Sequence, residues 1–69
     1  MNIKFSQNVR ILRENDKLKQ SELAQKLGVT QRKVSYWETG KIEPNLEDLC
    51  KIADLFGVSV DELIGRSPI

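Results

Sequence analysis

Between positions 31 and 36 the chain reads Gln31-Arg32-Lys33-Val34-Ser35-Tyr36, a stretch dense in side chains that hydrogen-bond at long reach. Set on a helix at about 100° per residue, Val34 and Trp37 define an inward direction. Arg32, Ser35, Tyr36 and Thr39 then point away from it, with Gln31 at the edge near the N-terminal end, and no acid lies on that outward face. These side-chain types suit the edges of base pairs: glutamine pairs with adenine, arginine with guanine, and tyrosine meets a thymine methyl or a phosphate. Gln, Arg and Ser also populate any solvated helix face, so their meaning depends on the elements that hold them.

Those elements read as short helices joined by tight turns. Phe5, Val9 and Leu12 recur at helical spacing, with Ile11 on the flank, which predicts a first helix from about Ser6 to Asn15 with Ser6 as its N-cap. A second runs from Gln20 to Leu27 and stops at Gly28; a third follows Thr30 as N-cap and ends near Gly40. Pro44 breaks the chain, and Asn45 with Asp48 opens a fourth helix whose apolar stripe is Leu46, Leu49, Ile52, Ala53 and Phe56. Ser59 and Glu62 form a second capping pair before a short last helix through Leu63 and Ile64. Nothing alternates with period two, so the fold class is all-α in a single domain over residues 1–69.

Counted from Gln20, a unit over about residues 20–39 meets six separate requirements of two crossed helices. Leu23 and Leu27 face the core, and Ala24 sits where the helices cross too closely for a larger side chain. Gly28 can take a positive φ and redirect the chain, and Val34 and Trp37 anchor the second helix.

Composition narrows the chemistry. Histidine is absent and Cys50 is alone, which excludes zinc fingers, Cys/His catalysis and a disulfide scaffold; no metal or cofactor is expected. Without a nucleophile–base pair, a phosphate loop or paired carboxylates in a cleft, the chain does not read as an enzyme. Apolar runs of two or three residues hold no membrane span or signal peptide, so a cytoplasmic protein is expected. The net charge of +1 hides an asymmetry: residues 1–40 carry eight basic groups against four acids, and residues 41–69 three against six. A basic front and an acidic back suit a protein that presents one end to a polyanion.

The stretch Lys19-Gln20-Ser21-Glu22-Leu23-Ala24-Gln25-Lys26-Leu27-Gly28-Val29-Thr30, followed by Val34-Ser35-Tyr36-Trp37-Glu38-Thr39-Gly40-Lys41, strongly resembles the phage-repressor and Cro-like (XRE) family of helix-turn-helix regulators. The likeness extends from Phe5 to Gly65 and includes the ending Gly57-Val58-Ser59-Val60-Asp61-Glu62-Leu63-Ile64-Gly65. It implies a compact five-helix bundle, bacterial or phage-encoded, that binds operator DNA as a homodimer. By the same resemblance Gln31, Arg32, Ser35 and Tyr36 would read bases. Gln20 would hold a phosphate and brace Gln31, and Lys19, Thr30, Thr39, Gly40 and Lys41 would touch the DNA backbone, partly through main-chain N–H groups. Arg13 and Glu38 fall where relatives pair the first helix with the end of the third.

Three positions depart from the pattern. Lys19 replaces a Ser or Thr cap, at a cost of ~1 kcal/mol, with its ammonium free to meet a phosphate. Lys17 occupies a turn position often held by glycine, and Glu43 a loop that is often basic. For dimer contact, Leu55 with Val60 and Ile64 is the candidate apolar patch, and Cys50 is expected to be a half-buried packing residue. The rival function is an antitoxin or protein-interaction module on the same scaffold. In such a module acids or bulky apolar groups would be tolerated on the third helix, whereas Arg32 and Lys33 stand there.

Overall fold

Caps and glycines divide the chain into helices before any long-range contact forms. The computed structural model describes residues 4–68, and over these it has five helices and no strand: α1 Phe5–Asn15, α2 Gln20–Leu27, α3 Gln31–Thr39, α4 Leu46–Phe56 and α5 Val60–Ile64. Thr30 Oγ1 accepts from the Lys33 N–H at 3.1 Å and Asn45 Oδ1 from the Asp48 N–H at 2.7 Å. Ser59 and Glu62 exchange both bonds of a capping box, at 3.0 and 2.8 Å. At α2 only half of such a box forms: the Glu22 carboxylate accepts the Lys19 N–H at 2.8 Å, while the Lys19 ammonium has no lone pair to return.

The first helix departs from expectation. It begins at Phe5, with Lys4 in the cap position and no side-chain cap, so Ser6 lies inside the first turn. That turn is secured from across the molecule instead. The Lys4 N–H donates to the Ile64 carbonyl at 2.9 Å, and the Asn8 amide donates to the Glu62 and Leu63 carbonyls at 3.1 and 3.2 Å. One side chain thereby satisfies carbonyls that the end of α5 would leave orphaned. Gly65 permits this approach: its φ is +85°, and a Cβ there would lie 2.9 Å from the Lys4 Cβ. Lys17 adopts the left-handed conformation, φ 57°, that its position in the α1–α2 turn implies.

The core gathers Phe5, Val9, Leu12, Leu23, Ala24, Leu27, Val34, Trp37, Ile52, Ala53 and Leu63 around a fully enclosed Trp37. Phe5 meets Trp37 edge to face, with centroids 6.1 Å apart and planes at 82°. The third helix packs chiefly on α1 and α2; α4 leans on α5 and α2. Two expectations for α4 fail. Leu46, placed on the apolar stripe, is 81% exposed, because the first residue of the helix lies beyond the rim of the core. The buried place in that turn goes to Asp48. Cys50, expected to be half-buried, is exposed.

Candidate nucleic-acid interface

Helices α2 and α3 pack together with Ala24 buried and Leu23, Val34 and Trp37 fully enclosed. The chain turns between them at Gly28, φ +71°, and the Val29 N–H closes on the Ala24 carbonyl at 3.0 Å. A Cβ at Gly28 would meet nothing within 4 Å, so the backbone angle and not space selects glycine here. With its inward side fixed, α3 leaves Gln31 and Arg32 exposed near its N-terminal end and Ser35 and Tyr36 half-buried one turn on. The four predicted readers share one side of one helix. Lys19, Thr30, Thr39, Gly40 and Lys41 are exposed around it, and Gln20 is half-buried at the start of α2.

The far end of α3 is held by a network centred on Glu38. Arg13 Nε and Nη2 donate to its two carboxylate oxygens at 2.7 and 3.0 Å, fork to fork, and Arg13 Nη1 donates to the Leu18 carbonyl at 2.8 Å. The two side chains are 12% and 3% exposed. The hydrogen bonds it donates to Glu38 push the Arg13 guanidinium above its ordinary range, outweighing the opposing effect of burial. The pair expected between α1 and the end of α3 is therefore present in the structure.

Gln20 joins that network. Its amide donates to Glu38 Oε1 at 3.1 Å, so the side chain expected to brace Gln31 braces Glu38. The loop after α3 also differs from the expected donor set. The Gly40 and Lys41 N–H groups already donate to the Trp37 and Tyr36 carbonyls, at 3.3 and 2.9 Å, closing the end of the helix. Thr39 Oγ1 donates to the Ser35 carbonyl at 2.9 Å. The Lys41 ammonium sits 5.3 Å from the centroid of the Tyr36 ring.

Two contacts were not legible from spacing: the Gln20–Glu38 bond and an ion pair of 2.8 Å between Lys33 on α3 and Asp48 on α4. Asp48, at the third position of α4, reads locally as a first-turn acid, which conceals its second role. The patch proposed for dimer contact is not gathered in one cleft. Leu55 lines a depression with Lys26, Leu27, Lys51 and Asp54, whereas Ile64 lies in another with Phe5, Ile42, Pro44 and Leu49. Among the described residues no cluster of ligating side chains could hold a metal, and no helix is long and apolar enough to cross a membrane.

The family model described as helix-turn-helix matches residues 9–63, and the chain belongs to that XRE-type family. It is 39% identical over 62 residues to the HTH-type transcriptional activator BcrR of Enterococcus faecalis, covering 90% of this chain and 30% of BcrR. It is 37% identical over 60 residues to the HTH-type regulator YqaE of Bacillus subtilis, covering 87% and 52%. The chain thus spans about a third to about half of these relatives' length. A transcriptional regulator from Listeria innocua superposes with a TM-score of 0.91 at 32% identity, over all of this chain and 64% of that one. The P22 c2 repressor bound to a synthetic operator gives 0.85 at 28% identity, over 91% and 96%. The same unit recurs in an enzyme: hydroxypropylphosphonic acid epoxidase from S. wedmorenis gives 0.78 at 34% identity, over 87% of this chain but 32% of that one. The fold is that of the repressor-type helix-turn-helix domain.

Proposed function

We propose that this chain is a sequence-specific DNA-binding transcriptional regulator that acts as a repressor, a homodimer on a pseudo-palindromic operator. One observation carries the proposal: α3 shows Gln31, Arg32, Ser35 and Tyr36 on one open, acid-free side while Val34, Trp37 and Glu38 lock the other. Long donors on a rigid helix are what major-groove readout needs, because a bidentate contact requires fixed geometry. The Arg32 guanidinium suits guanine and the Gln31 amide adenine, and the ammonium groups of Lys19 and Lys41 serve the flanking phosphates. Gln20, with its amide given to Glu38, acts mainly by holding α2 against the end of α3.

Binding in successive major grooves sets half-sites about 34–36 Å apart. Molecules measuring 29 × 23 × 20 Å between Cα extremes would then lie side by side, near enough for side chains to meet only where their long axes align, and occlusion of a promoter follows from their presence alone. For the contact between copies, Leu46 is the better candidate than Leu55, at 81% against 39% exposure. Ile42, four residues before Leu46 in the chain, is also exposed and lines a cleft of about 290 Å³ with Phe5, Pro44, Leu49 and Ile64. A role as antitoxin or interaction module is favoured only by that same apolar face.

The test is selection of duplexes from a random pool by the purified protein, followed by salt titration of the winners. A shared motif with dyad symmetry, bound with a steep fall in affinity as salt rises, is the expected result. Binding that ignores both sequence and salt would refute DNA recognition. Sedimentation on the selected duplex should give two chains per site, and Leu46→Asp should reduce that to one.

A further inference from the structure

Lys33 has no part in the recognition face described above. It sits between Arg32 and Val34 on α3, where a basic side chain would pass for a phosphate contact. Its ammonium turns back over the protein instead: Nζ lies 2.8 Å from Asp48 Oδ2 on α4 and 5.8 Å from the centroid of the Trp37 ring. The Asp48 side chain is 6% exposed against 36% for Lys33, and its Oδ2 is shielded and takes no well-angled hydrogen bond. A carboxylate so enclosed requires a counter-charge, and Lys33 supplies it.

We propose that Lys33 and Asp48 are positioning residues which set the tilt of the N-terminal turn of α3, and through it the base preference of Gln31 and Arg32, while Lys33 itself touches no phosphate. The other end of α3 is tied to α1 and α2 through Glu38. The N-terminal turn has the Thr30 cap, which is local to α3, and α4 packs mainly on α5 and α2. The Lys33–Asp48 bridge therefore joins directly two helices that share α2 as a neighbour but pack little on each other. It lies within two residues of both Gln31 and Arg32. A guanidinium that must meet two acceptors at once loses contact when its helix turn shifts by a fraction of an ångström, so this bridge acts on specificity at bases it never reaches.

The proposal rests on the DNA-binding reading, and its test keeps the two apart. Asp48→Asn is close to isosteric, and Lys33→Met keeps the aliphatic stem, so either suffices if the other does not fold by thermal melting. With a duplex selected by the parent and a random duplex as probes, both variants should lose about three- to tenfold in the ratio of the two affinities, part of what one bidentate contact contributes. Lys33→Arg should retain the ratio. In Lys33→Met the slope of log affinity against log salt should match the parent, because each lost phosphate contact lowers it by about 0.9. A slope reduced by about one unit in Lys33→Met, or an unchanged ratio in Asp48→Asn, would overturn the proposal. In the free protein, the amide resonances of Gln31 and Arg32 should shift in Asp48→Asn; their constancy would end the clamp even if no duplex were bound. Failure of the parent to bind any duplex would remove the DNA reading alone.

Discussion

The two ends of α3 are secured by contacts of the same chemical kind and very different strength. At the C-terminal end Glu38 takes two bonds from Arg13 and one from Gln20, so three helices meet on one buried carboxylate. At the N-terminal end a single ammonium, partly in solvent, holds one carboxylate of α4. The first arrangement is over-determined: losing any one bond leaves others to hold the helix. The second is adjustable. Polar ties between helices are thereby concentrated away from the base-reading residues, and the turn that carries Gln31 and Arg32 has, besides the Thr30 cap and the buried Val34, the Lys33–Asp48 ion pair. Because hydrogen bonding to Glu38 raises the Arg13 guanidinium above its ordinary value, its contribution is complete at every pH below that value and is lost only as pH rises beyond it. The strong end should be insensitive to pH on that account throughout the neutral range.

Substitutions can break this contrast from either side. The largest effect is expected from Trp37→Ala, which empties the middle of the core; a loss of ~3–5 kcal/mol would leave so small a domain largely unfolded by circular dichroism at 25 °C. Glu38→Ala should cost about 2–3 kcal/mol, since it leaves the Arg13 guanidinium mostly buried without its counter-ion, although Leu18 still accepts one of its protons. A loss as small as that expected for Asp48→Asn, about 1 kcal/mol in a pair whose lysine is partly solvated, would erase the difference between the two ends. Chemical denaturation of both variants makes the comparison.

Smaller effects sharpen it. Arg32→Ala should leave the melting temperature within about a degree and reduce discrimination at one base position by ~1–3 kcal/mol, read from competition binding. An Arg32→Ala protein with the parent's base preference would remove the outward face from DNA recognition. Lys41→Ala should weaken binding to every duplex and lower the salt slope by about one. Since its ammonium also rests over the Tyr36 ring, it should in addition cost ~0.5–1 kcal/mol of preference at the base that Tyr36 meets. Lys17→Gly, far from all of this, should stabilise the fold by about 1 kcal/mol by relieving the left-handed backbone, with DNA binding unchanged.

How far the sequence reached depends on the range of each interaction. The α2–α3 unit could be read almost residue by residue, because Leu23, Ala24, Gly28, Val34 and Trp37 each meet a requirement set by a neighbour in the same turn or in the adjoining helix. The start of α1 was misread because Ser6 is a good cap in isolation, while the bonds that secure this end come from Ile64, Leu63 and Glu62, more than fifty residues away. Leu46 satisfied the helical period yet lies outside the core, since periodicity gives a direction around the helix and not a depth along it. The outward side of α3 was legible as chemistry, but not the fact that the Gly40 and Lys41 N–H groups are already engaged.

What the order of residues determined by itself is the local geometry: where helices begin at Thr30, Asn45 and Ser59, and which side of α3 stays open. These depend on partners three or four positions apart, whose separation the helix prescribes. The tertiary structure alone decided that Gln20 serves Glu38, that Asp48 is enclosed and that Lys33 turns away from the open face. Each of those joins side chains fifteen or more positions apart, and whether their charges meet is set by how the helices cross, which no local spacing records.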